Sequence, residues 1–246
     1  MPTVVISQPM FFPWVGLFEQ IRLADTYVHY DDVQFSKGSF TNRVQVKTAT
    51  GSKWLTVPLA NLHAGQSIVT VATAPPAEWA PRHLALLEQS YRGAAHVGDM
   101  LELVHQVYAS AGFGMCDLAI ASMDAVMAYF GICRQVTFLH SSRLGIPGSS
   151  DDRVLAVVKH LGGDRYITGH GARNYLDHER FESEGVRVDY LDYRKLPYPQ
   201  LHGPFTPFVS TLDLIANCGR DGAAMICSGT RPWRDFLAST SDKDNA

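Results

Sequence analysis

The chain has 246 residues, 46% hydrophobic and 18% charged, with a formal net charge of −3. A chain of this size forms one large α/β domain or two small ones and buries a core without disulfides or metals. The slight negative charge provides no general attraction to DNA or an anionic membrane, and no apolar run approaches the roughly 18 residues of a membrane span. Cys116, Cys133, Cys218 and Cys227 form no CxxC pair, so we read them as reduced, mostly buried thiols rather than zinc ligands. No charged segment precedes an apolar stretch at the start, so no signal peptide is expected and the protein reads as cytoplasmic.

Residues 3–7 are apolar and β-branched, which predicts a buried first strand. It stops at Gln8-Pro9, and Pro13 follows, so a tight loop is expected before a helix over 17–23. Residues 27–30 read as a second strand ending at Asp31-Asp32. Alternation over 41–47 and 53–58 around Thr50-Gly51 predicts a hairpin. Another strand is expected over 67–72. Helices are expected over 79–91, 98–110 and 117–130, with glycines between them. Strand character returns over 135–140. Ser150 is placed to cap a helix over 151–161, which Gly162 and Gly163 terminate. Further strands are expected over 166–169 and 186–191, and a helix over 211–218. The fold class is α/β: an open, mostly parallel Rossmann-like sheet with an inserted β-hairpin and helical subdomain. A single domain over 1–238 is expected, with a frayed polar tail over 239–246.

Gln8-Pro9-Met10-Phe11-Phe12-Pro13-Trp14-Val15-Gly16 lies at the carboxyl end of the first strand, where open α/β sheets bind ligands. Gln8 offers both a donor and an acceptor, and Trp14 a stacking face. The alternative is a structural turn with Phe12 and Trp14 in the core. Asp31-Asp32-Val33-Gln34 and Asn42-Arg43 are expected to face the same crevice. There a carboxylate acts as a base or anchor, Asn42 and Gln34 hold a carbonyl oxygen, and Arg43 clamps an anion. The competing reading is a local turn and a surface ion pair. His83 is a candidate general base, although a lone helical histidine is more often structural. The histidines lack metal-ligand spacing, so no metal site is assigned. The glycine-rich turn at Gly169, with Ser142 and Tyr175, is a candidate substrate-binding element. Gln200 lies in a Pro-rich loop of the kind that covers a site. Asp213 reads more simply as a charge complementing a helix dipole.

These motifs carry a resemblance. Gln8-Pro9 with Phe12-Pro13-Trp14-Val15-Gly16, Asp31-Asp32-Val33-Gln34-Phe35 with Asn42-Arg43, and Trp54 with Pro58 are similar to the opening motifs of WbqC-like proteins. Trp79 with His83 and Tyr91, Ser141-Ser142, Tyr166 with Thr168-Gly169, Tyr175, and Phe205 with Ser210, Asp213 and Gly219 follow in the expected order. The resemblance implies a role in bacterial polysaccharide (O-antigen) or natural-product biosynthesis: acyl or aminoacyl transfer to an amino sugar or small amine. The implied donor is an activated co-substrate (a carrier-protein thioester, an acyl-CoA or an aminoacyl-tRNA) with no tightly bound cofactor. A carrier protein or tRNA is then a partner; a membrane or DNA is not. His83 or Asp32 would be the base, Asn42, Gln34 and Arg43 would hold the oxyanion or a carboxylate, and Gln8, Trp14 and Tyr175 would position the substrate. A more distant likeness joins the opening strand–loop–helix–strand to nucleotidyltransferases with a HIGH motif, but both histidines of that motif are missing. A nucleotide-dependent transferase or ligase and a non-catalytic accessory protein therefore remain open alternatives.

Overall fold

The structure, a computed structural model, describes residues 2–110 and 112–244, the last five of these by backbone alone. Its strands in chain order are β1 Thr3–Ser7, β2 Thr26–His29, β3 Arg43–Thr48, β4 Gly51–Thr56, β5 Leu59–Ala60, β6 Ala72–Thr73, β7 Thr137–His140, β8 Arg165–Thr168, β9 Arg187–Asp192 and β10 Gly229–Pro232. The helices are α1 Val15–Arg22, α2 Pro76–Tyr91, α3 Val97–Ser110, α4 Met115–Phe130, α5 Ser141–Leu144, α6 Ser150–His160, α7 His178–Ser183, α8 Thr211–Cys218 and α9 Trp233–Asp244.

Six strands form the central sheet in the order β10-β9-β8-β1-β2-β7. All neighbours are parallel except the β10–β9 pair. A parallel strand buried on both faces needs apolar residues at successive positions, and β1 supplies them. Its odd and even side chains enter different cores. Val4 and Ile6 join Val28, Val188 and Tyr190 against Val154 and Val158 of α6, Phe181 of α7 and Phe236 of α9. Val5, Tyr27 and Ile167 face Phe18 and Ile21 of α1 and the helices inserted between β2 and β7. The result is a mostly parallel sheet covered by helices on both sides. The chain runs from β1 to β2 and β7 on one side, then returns to build β8, β9 and β10 on the other. The strand order therefore reverses at β1, which opens a crevice above its carboxyl end.

The hairpin of β3 and β4 pairs Thr48 with Gly51, and the Thr48 hydroxyl donates to the Gly51 carbonyl at 2.7 Å. The strand expected over 67–72 is instead a 3-10 turn, Ile68–Thr70, followed by the two-residue β6. The Thr70 hydroxyl and the Thr70 N–H both donate to the Ser67 carbonyl, and such local bonds compete with a ladder. Ser150 does not cap α6: the cap position is Ser149, and its side chain makes no capping bond. Helix α9 runs to Asp244, into the segment expected to be a frayed tail; residues 245–246 lie outside the described residues. Asp213 stands in the first turn of α8, where its charge meets the helix dipole, and is fully buried. Among the described residues no helix is long and apolar enough to cross a membrane.

Candidate functional site

A cleft of about 820 Å³ lies where the strand order reverses, lined from the ends of β1, β2 and β8 and the starts of α1 and α6. Gln8, Trp14, Asp32, Gln34, Gly169 and Tyr175 all line it.

The loop after β1 is pinned on three sides. Phe12 adopts φ 39°, a strained left-handed geometry for a bulky residue. It is held there because its N–H donates to Ser122 Oγ of α4 at 2.8 Å and its carbonyl accepts from Ser210 Oγ at 2.8 Å. The Phe11 N–H donates to the Phe40 carbonyl at 2.9 Å, and the Pro13 carbonyl accepts from the N–H of Thr211 in α8 at 2.9 Å. Phe11 and Phe12 fill the core, fully buried, while Trp14 turns toward the cleft. Its ring packs edge-on against Tyr193 at 4.8 Å and lies over Gly16, where an added Cβ would sit 2.3 Å from the indole.

The charged centre of the cleft is Asp32. Its carboxylate accepts from Arg153 Nη2 at 2.5 Å and from Ser141 Oγ at 2.5 Å. Burial alone would raise the Asp32 pKa; the bonds from Arg153 and Ser141 outweigh it and hold the carboxyl below its ordinary value. Asp32 is therefore an anion at neutral pH. Arg153 is fixed in turn: Nε donates to the Ile146 carbonyl at 3.0 Å, and the guanidinium lies 5.2 Å from the Tyr30 ring centroid. Beneath it, Asp31 is 1% exposed and accepts from His140 Nδ1 at 2.8 Å, the Ser142 N–H at 2.9 Å and the Ser142 hydroxyl at 3.0 Å. Burial opposes ionisation of Asp31, but these bonds prevail and its pKa is lowered. Asp31 and Ser142 thus fasten the end of β2 to the end of β7 and hold Asp32 in place, rather than lining the cleft.

Four further expected site residues lie outside the cleft. His83 is buried: Nε2 meets the Thr56 carbonyl at 2.9 Å and Nδ1 meets the Tyr108 hydroxyl at 2.9 Å. A carbonyl only accepts, so Nε2 carries the proton and Nδ1 accepts from Tyr108. Burial lowers the His83 pKa to about 4. With both nitrogens engaged, this ring has no free lone pair with which to act as a base. Asn42 spends its amide on the Val57 carbonyl at 2.9 Å, tying down the hairpin. Arg43 stacks on Trp54 with Cζ 4.1 Å from the ring and donates Nε to the Gly38 carbonyl. Gln200 Oε1 accepts from Lys47 Nζ at 3.0 Å and from the Thr206 N–H at 2.9 Å, knotting its own loop.

Arg153, Tyr30 and Gln20 line the cleft but were not singled out from the sequence. Arg153 is one polar residue on an amphipathic helix, and its pattern does not distinguish a solvent-facing side chain from one turned into a cleft. Among the described residues no cysteine lines the cleft. Burial pushes the Cys116 thiol up to about 12 and Cys133 to about 11. Among the described residues no three His, Cys, Asp or Glu side chains are grouped so as to hold a metal ion.

The model of the WbqC-like protein family matches residues 8–225, a stretch that includes every residue lining the cleft except Ile6 and Ser7, at the end of β1. The chain belongs to the WbqC-like protein family. This WbqC-like protein is also similar to the uncharacterized protein Rv1507c of Mycobacterium tuberculosis (strain ATCC 25618 / H37Rv). The two are 29% identical over 223 residues, 90% of this chain and 96% of the relative. No solved structure matches it.

Proposed function

We propose that this WbqC-like protein is a transferase that joins an activated acyl or aminoacyl group to the amine of an amino sugar or another small amine. The observation that carries the reading is an ionised carboxylate, Asp32, in a cleft lined by the carboxamides of Gln8, Gln20 and Gln34 and by Trp14, Tyr30 and Tyr175. Asp32 holds the amine or a sugar hydroxyl by an ionic hydrogen bond. The carboxamide N–H groups donate to the acyl oxygen as it becomes an oxyanion. The amine enters as its neutral form, having lost a proton to water. It attacks the carbonyl carbon, the new C–N bond forms as the bond to the leaving thiolate or alkoxide breaks, and the amine's remaining extra proton passes to that leaving group. With no thiol in the cleft, direct aminolysis is a better fit than a covalent cysteine intermediate.

A second reading has its own supporting observation. With the central strands renumbered one to six in chain order, the sheet runs 3-2-1-4-5-6, a Rossmann-like order, and the Gly169–Gly171 turn stands at the point of reversal. That arrangement suits a nucleotide-dependent transferase or ligase, including one on a HIGH-like scaffold.

One experiment separates them. The protein is incubated with an amino sugar and, in turn, a glycyl thioester, glycyl-tRNA, or glycine with ATP, and products are read by mass spectrometry. Amide formed from a preactivated donor, and reduced about a hundredfold in Asp32→Asn, supports the first reading. Amide formed only with ATP, with release of a nucleotide product, favours the second. No amide from any donor overturns the transferase reading.

A further inference from the structure

From Val33 to Ala77 the chain contains no Asp or Glu, yet it carries Lys37, Arg43, Lys47 and Lys53 in a protein whose net charge is −3. Lys47 is used internally: its Nζ donates to the carbonyls of Gly203 at 3.1 Å and Pro204 at 2.6 Å. The other three stand at the surface of the hairpin and the loop before it. Beside them are two large exposed rings, Phe40 at 42% and Trp54 at 41% exposure, with centroids 5.9 Å apart. Arg43 covers one face of Trp54 and, through Gly38, draws the Lys37 loop against it. The opposite face of the hairpin buries Val44, Val46 and Leu55 in the core, so this platform is rigidly mounted. It is also tied to the cleft wall. The Phe40 carbonyl accepts from Phe11, which follows the cleft residue Met10, and the cleft residue Gln34 lies three positions before Lys37.

We infer that the Phe40–Arg43–Trp54 face of the hairpin, with Lys37 at its rim, is the docking site for an acidic protein that delivers the acyl donor as a thioester. Exposed Trp, Phe and Arg together are the residues that anchor protein interfaces, and a hairpin segment that carries cations and no carboxylate of its own favours an acidic partner. An RNA-borne donor is less well served. Nucleic-acid affinity comes from many neutralised phosphates, whereas here two cations flank the rings and one face of Trp54 is already covered. The identity of the cargo rests on the transfer reading above; the docking surface does not.

The test uses the full chain and a panel of acidic acyl carrier proteins bearing phosphopantetheine but no acyl group. Binding is measured by calorimetry at low and high salt, with uncharged tRNA as a separate probe. Carrier binding should weaken with salt. It should also fall about tenfold in Trp54→Ala and, independently, in Lys37→Glu, with melting temperatures unchanged. Turnover of a free pantetheine thioester should stay within about twofold of the parent, because the cleft is untouched. The absence of carrier binding, carrier binding indifferent to both variants, or tRNA binding lost in the same variants would each overturn the inference. Failure of every donor to give product would instead sink the transfer reading and leave the binding result to judge the docking site.

Discussion

Arg153 and Asp32 meet at 2.5 Å in the wall of the cleft although 121 residues separate them in the chain. Their side chains are 10% and 24% exposed, so the pair is shielded enough for the charge-assisted bond to matter. Arg153→Met removes the cation and leaves Asp32 with Ser141 and its burial. The carboxyl pKa should rise, because the bond and the charge that lower it most are gone. The acid limb of ligand binding, measured against pH, should move to higher pH. An unchanged limb would show that the pair does not control the charge of the cleft.

His83 is predicted to serve stability and not turnover. His83→Ala leaves the Thr56 carbonyl and the Tyr108 hydroxyl unsatisfied in the core, at a cost of about 2–4 kcal/mol in urea unfolding. Ligand affinity in the cleft should change less than twofold in the protein that remains folded. A hundredfold loss of activity in a fully folded variant would restore His83 as a catalytic residue.

Stability should fall as the pH drops from about 6.5 to about 4. His83 and His29 are both lowered from 6.5 to about 4, chiefly by burial, with His140 adding to the effect at His29. In that window the unfolded chain takes up a proton at each ring and the folded chain does not, so each group costs about 1.4 kcal/mol per pH unit. Asp31 and Asp32, whose folded values are lowered, contribute stability that is lost only below the ordinary carboxylate range. In His83→Gln the slope of unfolding free energy against pH should drop by about one proton. An unaltered slope would place the proton uptake elsewhere.

Gly16→Ala should change binding more than stability. The new methyl would stand 2.3 Å from the Trp14 ring, so the indole must move. Alanine gains about 1 kcal/mol in helix propensity over glycine, which offsets part of the clash. Ligand affinity should fall about tenfold or more, because small displacements of a positioning group are costly, and tryptophan emission should shift. Unchanged affinity would remove Trp14 from ligand positioning.

Much of the fold was legible locally. β1, β2 and α8 are short, strongly patterned and bounded by clear stop signals, and the predicted ranges lie within a residue or two of the observed elements. The 3-10 turn at Ile68–Thr70 was not, because β-branched residues favour a strand while the Ser67–Thr70 hydroxyl bonds favour a turn. His83 carried a signal that pointed to the core. It shares one helical face with Trp79, Leu87 and Tyr91, at intervals of four residues, and all four are buried.

By itself, the sequence determined that β1 is buried on both faces, that a rigid Pro-rich loop follows it, and that polar residues collect after the first two strands. These are properties of neighbouring residues, set by side-chain volume, φ restriction and hydrogen-bonding capacity. Only the tertiary structure decided which of those polar groups share a cleft. Return of the chain to the far side of β1 brings Arg153, Gly169 and Tyr175 to Asp32 and Gln8, while insertion of the hairpin and helices carries His83, Asn42 and Arg43 away. The physical reason is that a cleft is built by the sheet's order, and strand order depends on which apolar faces pack across more than a hundred residues, a quantity no local pattern contains.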